Sequence, residues 1–200
     1  MDAVVFDVGG VLIEWDPRHL YRKLFDDEAA MERFLAEVCT PAWNHEQDLG
    51  RPFAEAVASL SARFPEHAEL IAAYDERWEE MVPGPVPDGP EVLADVQAAG
   101  LPCYGLTNFS VEKLALVRRR FAFLTGLDGV VVSGEEGVCK PDSEIYLRLA
   151  RRFDLTPART LYVDDRADNV AAAEALGFRG HHFTSADGLR AELVRIGVLA

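Results

Sequence analysis

The sequence predicts an α/β protein, a doubly wound parallel sheet with a helical segment inserted after its first strand. Three observations carry that expectation. From about residue 90 onward, short β-rich runs alternate with amphipathic helical stretches, the pattern of successive βαβ units. The run AVVF at 3–6 is apolar at every position, as a strand buried on both faces requires. Between that run and the alternating series, residues 17–81 contain no strand-like stretch at all.

The elements follow in order. After the first strand comes a single acid, Asp7, and two residues later the pair Gly9 and Gly10, within VVFDVGGVLIEWDP at 4–17. A strand that ends on a carboxylate and turns through glycines either carries a solvated turn residue or displays a nucleophile or metal ligand. The stretches RHLYRKLF, EAAMERFLAEV, FAEAVASLSARF and AELIAAYDERWEEM repeat apolar residues at three- and four-residue spacing and predict helices. Between them, TPAWNHEQDLGRPF at 40–53 is the least regular part. It reads as an inter-helix connection, with Trp43 packed between helices or with Trp43, Asn44, His45 or Arg51 turned toward a ligand. PGPVPDGP at 83–90 is a proline-rich break that no helix interior tolerates. Gly89 then suits an N-cap and Pro90 a first helical position, with Gly100 as the stop of EVLADVQAAG. Beyond it, LPCYGLT, GVVVS, TLYVDD and RGHHF predict strands. VEKLALVRRRF, SEIYLRLARRF, ADNVAAAEALG and ADGLRAELVRIG predict the helices that join them and close the chain. The expected division is a core of residues 1–15 and 83–200 and a helical cap of residues 16–82.

Composition narrows the partners. The net charge of −14 opposes binding to nucleic acid or to an anionic membrane, because both rely on basic surface. A small phosphate remains possible where a local cation, helix N-termini or a metal receives it. The three cysteines, Cys39, Cys103 and Cys139, lack metal-ligand spacing and read as thiols in a reducing compartment. No stretch reaches the roughly 18–20 apolar residues of a membrane span, and Asp2 and Asp7 fall where a secretory leader is apolar or basic. A soluble, cytoplasmic protein is expected. The sequence leaves the oligomeric state open.

In open parallel sheets, ligands bind at the carboxyl ends of the strands. Those ends carry Asp7, then Thr107 and Asn108, then Ser133, then Asp164 and Asp165, and Lys140 lies in the loop before a helix. A carboxylate nucleophile, a hydroxyl with an amide, an ammonium and a second pair of acids make a phosphoryl-transfer site. Adjacent acids such as Asp164 and Asp165 repel each other unless a cation lies between them.

The segments FDVGGVL, GLTN, KPDSEIY and LYVDDRADN resemble, in order and spacing, the four motifs of the haloacid dehalogenase-like (HAD) hydrolase superfamily. The resemblance spans residue 4 to about 177, and the helical block resembles that superfamily's C1 cap. It implies a Rossmann-like core, Mg²⁺ as cofactor and an aspartyl-phosphate intermediate on a small phosphorylated metabolite. By position, Asp7 is then the nucleophile, Thr107 and Asn108 hold phosphoryl oxygens, and Lys140 neutralises charge. Asp7, the Gly9 carbonyl, Asp164 and Asp165 hold the metal.

One departure is plain. Phosphatases of this superfamily carry a second Asp two residues after the nucleophile, and here that position is Gly9. Glycine offers a carbonyl to a metal but protonates nothing. Three readings remain open. The first is a phosphatase that manages without that acid, resembling the α-glucose-1-phosphate phosphatase group with D-x-G in its first motif. The second is a 2-haloacid dehalogenase, against which the Asp164–Asp165 doublet counts. The third is a non-catalytic module that binds phosphate or a partner.

Overall fold

The computed structural model describes residues 1–200. Five strands form one sheet: β1 (Ala3–Phe6), β2 (Cys103–Thr107), β3 (Gly129–Val132), β4 (Thr160–Asp164) and β5 (Arg179–His182). Their order is β3-β2-β1-β4-β5 and every pairing is parallel. Strand β1 therefore sits in the middle, flanked by β2 and β4. The chain winds outward on one side of it and then on the other, which makes the end of β1 the topological switch point. This is the Rossmann-like α/β class expected from the alternation of elements.

The helices are α1 (Arg18–Tyr21), α2 (Glu28–Glu37), α3 (Pro41–Asp48), α4 (Phe53–Arg63), α5 (Ala68–Glu76), α6 (Gly89–Ala98), α7 (Val111–Arg120), α8 (Ser133–Glu136), α9 (Ser143–Arg152), α10 (Ala167–Ala175) and α11 (Ala186–Arg195). None is long and apolar enough to cross a membrane.

Side chains alternate across the sheet, and the two faces collect different partners. Val5, Leu106, Val131 and Tyr162 pack with Ile145, Tyr146 and Leu149 of α9. Val4, Phe6, Leu161 and Val163 point the other way, into a larger apolar cluster that continues through Tyr21, Phe34, Trp43 and Tyr74 of the helical segment. Polar ties join the same two regions. Lys113 of α7 pairs with Asp75 of α5, the Ser133 hydroxyl donates to the Asp48 carbonyl at 2.5 Å, and Arg120 donates to the Val82 carbonyl at 2.7 Å.

Three local expectations change. Residues 40–53 are not an irregular connection throughout, because Pro41–Asp48 form α3. Thr40 caps it by accepting from the Trp43 N–H at 3.0 Å, and Pro41 occupies the first turn. That start signal is in the sequence, but the weak apolar periodicity behind it hides the helix. Gly89 is the first residue of α6 and not its cap; Asp88, at φ 58°, holds the cap position. The lack of a side chain at Gly89 lets α6 approach the Val11 carbonyl. The RHLYRKLF stretch forms only the four-residue α1 before the chain turns. The three cysteines are free and buried.

Candidate active site

The apolar run of β1 is wholly buried, so the first residue able to meet a ligand is the one after it. Asp7 stands there, 7% exposed, with its Oδ1 accepting from the Val8 N–H at 2.7 Å. Its Oδ2 lies 2.8 Å from the Lys140 ammonium. Lys140 is itself buried and also donates to Asp164 at 2.7 Å and to the Leu106 carbonyl at 3.0 Å. One ammonium thus joins the ends of β1, β2 and β4.

Asn108, one residue beyond β2, fixes where that ammonium comes from. Its Nδ2 donates to the Lys140 carbonyl at 2.9 Å and its Oδ1 accepts from the Lys140 N–H at 2.8 Å. The side chain is a two-point clasp on the lysine's backbone. Thr107, buried at the end of β2, lies on the same edge.

The acids of the doublet differ. Asp164 is fully buried and its carboxylate accepts from Lys140, from the Tyr162 hydroxyl at 2.5 Å, from Asn169 Nδ2 at 3.0 Å and from the Arg166 N–H at 2.9 Å. Asp165 is exposed, and its carboxyl group lies over Gly10. A Cβ on Gly10 would come within 2.5 Å of that group, and Gly10 has φ +74°, so both space and backbone call for glycine there. At Gly9 a Cβ would meet nothing within 4 Å.

Electrostatics show what the cluster lacks. Carboxylate oxygens of Asp7, Asp164 and Asp165 all lie within 4.8 Å of one another. Three carboxylates face one ammonium. Burial, reinforced by the charges of Asp164 and Asp165, pushes Asp7 up to about 7 in spite of Lys140. Burial also opposes ionisation of Asp164, but Lys140 and the surrounding donors outweigh it and hold that acid below its ordinary value. Asp165 is raised by partial desolvation of its carboxyl group against Gly10 and by the charge on Asp164, although the residue as a whole is exposed. Lys140 is raised because the two carboxylates overcome its own desolvation. The cluster has room and charge for a further cation.

Beside this edge, a cleft of about 60 Å³ opens between the helical segment and the sheet. Trp15, Phe53, Trp78 and Phe109 supply aromatic walls, with Asn108 and Asp48 among the polar ones. Of the cap residues named from sequence, Asn44 lines this cleft. Trp43 is buried and His45 is exposed, while Arg51 donates to Gln47 and to the Trp43 carbonyl. Asp48, Tyr162 and Asn169 did not stand out in the sequence. Asn169 lies five residues after Asp164, in the first turn of α10, and its signal was its place at the end of the LYVDDRADN segment.

A doubly wound sheet with a buried lysine–carboxylate cluster at its switch point defines a Rossmann-like α/β protein whose candidate functional centre is a strand-end aspartate. The family model for haloacid dehalogenase-like hydrolases matches residues 1–177, and the chain belongs to that family. It is 26% identical over 193 residues to the sesquiterpene phosphatase astK of Aspergillus oryzae, covering 91% of this chain and 89% of that protein. A HAD family enzyme from Bacteroides thetaiotaomicron, solved with magnesium and inorganic phosphate, shares the fold. Its TM-score is 0.71 at 20% identity, over 90% of this chain and 93% of the other. An L-2-haloacid dehalogenase from Xanthobacter autotrophicus shares it too, with a TM-score of 0.64 at 20% identity, over 100% and 85% of the chains.

Proposed function

We propose that this hydrolase is a Mg²⁺-dependent phosphatase of small phosphomonoesters that works through an aspartyl phosphate on Asp7. The observation that carries the reading is the single buried ammonium of Lys140 held between Asp7 and Asp164 at the switch point, with the free carboxylate of Asp165 alongside. The relative named as a phosphatase supports phosphoryl chemistry, and the relative solved with magnesium and inorganic phosphate supports the metal.

In this reading Asp7 attacks phosphorus, the ester oxygen leaves, and water then hydrolyses the aspartyl phosphate. Lys140 offsets charge on Asp7 and on the phosphoryl group, while Asn108 and Asp164 hold the lysine in place. The Thr107 hydroxyl and the backbone of Asn108 receive phosphoryl oxygens. Asp7, the Gly9 carbonyl and Asp165 would hold the cation, and Asp164 would contribute mainly by anchoring Lys140. The donors are all oxygen and outnumber the local positive charge, which suits a hard divalent ion such as Mg²⁺. When bound, Mg²⁺ screens the repulsion between carboxylate and phosphate and polarises the phosphoryl oxygens. Residues 16–82 act as the cap over the cleft.

The Asp164–Asp165 doublet disfavours dehalogenation, which needs no metal and no added negative charge. A phosphate-release screen over sugar phosphates, short alkyl phosphates and 4-nitrophenyl phosphate tests the reading. Activity should require Mg²⁺, disappear in EDTA and be lost in Asp7→Asn. Metal-independent halide release from 2-chloropropionate would replace this reading with the dehalogenase one.

A further inference from the structure

At position 9 the reacting edge has glycine and so no side chain to protonate a leaving oxygen, and the structure carries an acid in the neighbouring cleft. Asp48, at the C-terminal end of α3, lines that cleft with Asn108 and Trp15. Asn108 directly follows Thr107 and is clasped to Lys140, whose ammonium touches Asp7, so the cleft adjoins the reacting edge. We propose, resting on the phosphatase reading above, that Asp48 is the general acid and base of this enzyme. As Asp7 bonds to phosphorus, the P–O(ester) electron pair passes to the ester oxygen, which takes the proton of the Asp48 carboxyl group. In the second step a water oxygen bonds to phosphorus and the P–O bond to Asp7 breaks, returning its electrons to Asp7. Asp48 takes the water's proton and is reset.

The surroundings of Asp48 fit a proton donor better than a structural ion. A negative charge at the C-terminal end of a helix opposes the helix dipole, so helix stability does not explain it. Its Oδ2 accepts from Asn44 Nδ2 at 3.1 Å, and Asn44 is in turn held by the Tyr74 hydroxyl at 3.0 Å. No lysine or arginine pairs with Asp48, because Lys113, on the same cleft wall, is taken by Asp75. The other titratable groups near it are Tyr74, Cys139 and Lys113, with Glu46, Arg51 and Glu112 on the flanking segments. The Ser133 hydroxyl pins the Asp48 backbone to the sheet, so α3 does not swing freely. Burial pushes the acid up to about 8, which keeps it mostly protonated at neutral pH, as a donor must be.

The test compares an alkyl phosphate with 4-nitrophenyl phosphate, whose leaving group needs little protonation. Loss of a general acid costs about 10²–10⁴-fold where protonation is needed. In Asp48→Asn, kcat/KM for the alkyl ester should fall at least ten times further than for the nitrophenyl ester. The alkaline limb of the alkyl-ester pH profile should vanish as well. Asp48→Glu should restore part of that limb. Equal losses on both esters, or an alkaline limb intact in Asp48→Asn, would overturn the proposal. So would a wild-type enzyme that cleaves the nitrophenyl ester but has no alkaline limb on the alkyl one, a result that needs no variant to fold. Failure of the underlying phosphatase reading looks different: wild type then cleaves neither ester, or Asp7→Asn stays active.

Discussion

The two acids of the doublet should respond to neutralisation with opposite signs. In Asp164→Asn the buried Lys140 loses one carboxylate, and the Tyr162 hydroxyl loses a charged acceptor. Breaking a fully buried pair from one side costs about 3–5 kcal/mol. For a chain of 200 residues that corresponds to a melting temperature roughly 6–20 °C lower. Asp164 titrates below its ordinary value in the folded protein, so its stabilising contribution is present above the unfolded pKa and fades as pH falls through the folded one. The deficit of the variant should therefore shrink in acid. Asp165 is exposed, unpaired with any base and repelled by Asp164. Solvent screens most of that repulsion, so Asp165→Asn should gain no more than about 0.5 kcal/mol in metal-free buffer. With Mg²⁺ the order of merit changes. A ligand at one hundred times its Kd stabilises the folded state by about 2.7 kcal/mol, and Asp165→Asn should lose most of that response. Urea unfolding of both variants and wild type, each with EDTA or Mg²⁺, reads all these terms. Equal destabilisation of both variants, or a full Mg²⁺ response in Asp165→Asn, would refute the division of labour.

At Gly9 a Cβ meets nothing within 4 Å, so Gly9→Asp should fold and gain rate on alkyl phosphates more than on nitrophenyl phosphate; a steady-state comparison of the two esters checks it. Gly10→Ala places a methyl group against the Asp165 carboxyl at a left-handed φ, and should cost about 1 kcal/mol or more in urea unfolding while weakening Mg²⁺ binding by calorimetry. Asp48→Asn should be the more stable protein at pH 8. A rise from 3.8 to about 8 corresponds to at most about 6 kcal/mol, and the open mouth of the cleft screens this to about 1–2 kcal/mol. Because the folded value lies above the unfolded one, the wild type loses stability between pH 4 and pH 8. Unfolding curves across that range should converge at the acid end.

Much of the sheet was legible because four of its five strands, β1 to β4, are short, mainly apolar runs that end in or are followed by a polar residue. For that reason Asp7, Thr107, Lys140 and the doublet could be placed on one edge before any coordinates. What the strand ends do not encode is which atoms are spent on one another. Asn108 read as a phosphate contact, and its amide spends one donor and one acceptor on the Lys140 backbone. Asp164 and Asp165 read as a matched pair, yet burial assigns one to Lys140 and leaves the other to solvent. Asp48 was illegible for a different reason. An acid at the end of a polar helix looks like ordinary surface, and only the packing of α3 against Ser133 turns it inward. The start of α3 could have been found from Thr40 and Pro41 alone.

The central place of β1 also bears on how the molecule reaches its native state. Val4 pairs with Cys103 on one side and Leu161 on the other, so neither neighbour is local in sequence. Closing such loops before any pairing is rewarded makes parallel sheets slow to form. Until β2 and β4 arrive, AVVF is an apolar ribbon with two open edges and charge only at its flanks, on Asp2 and Asp7. The strand that aims Asp7 is therefore the segment most prone to stick to other chains during folding, and refolding yield should fall with protein concentration well before native stability does.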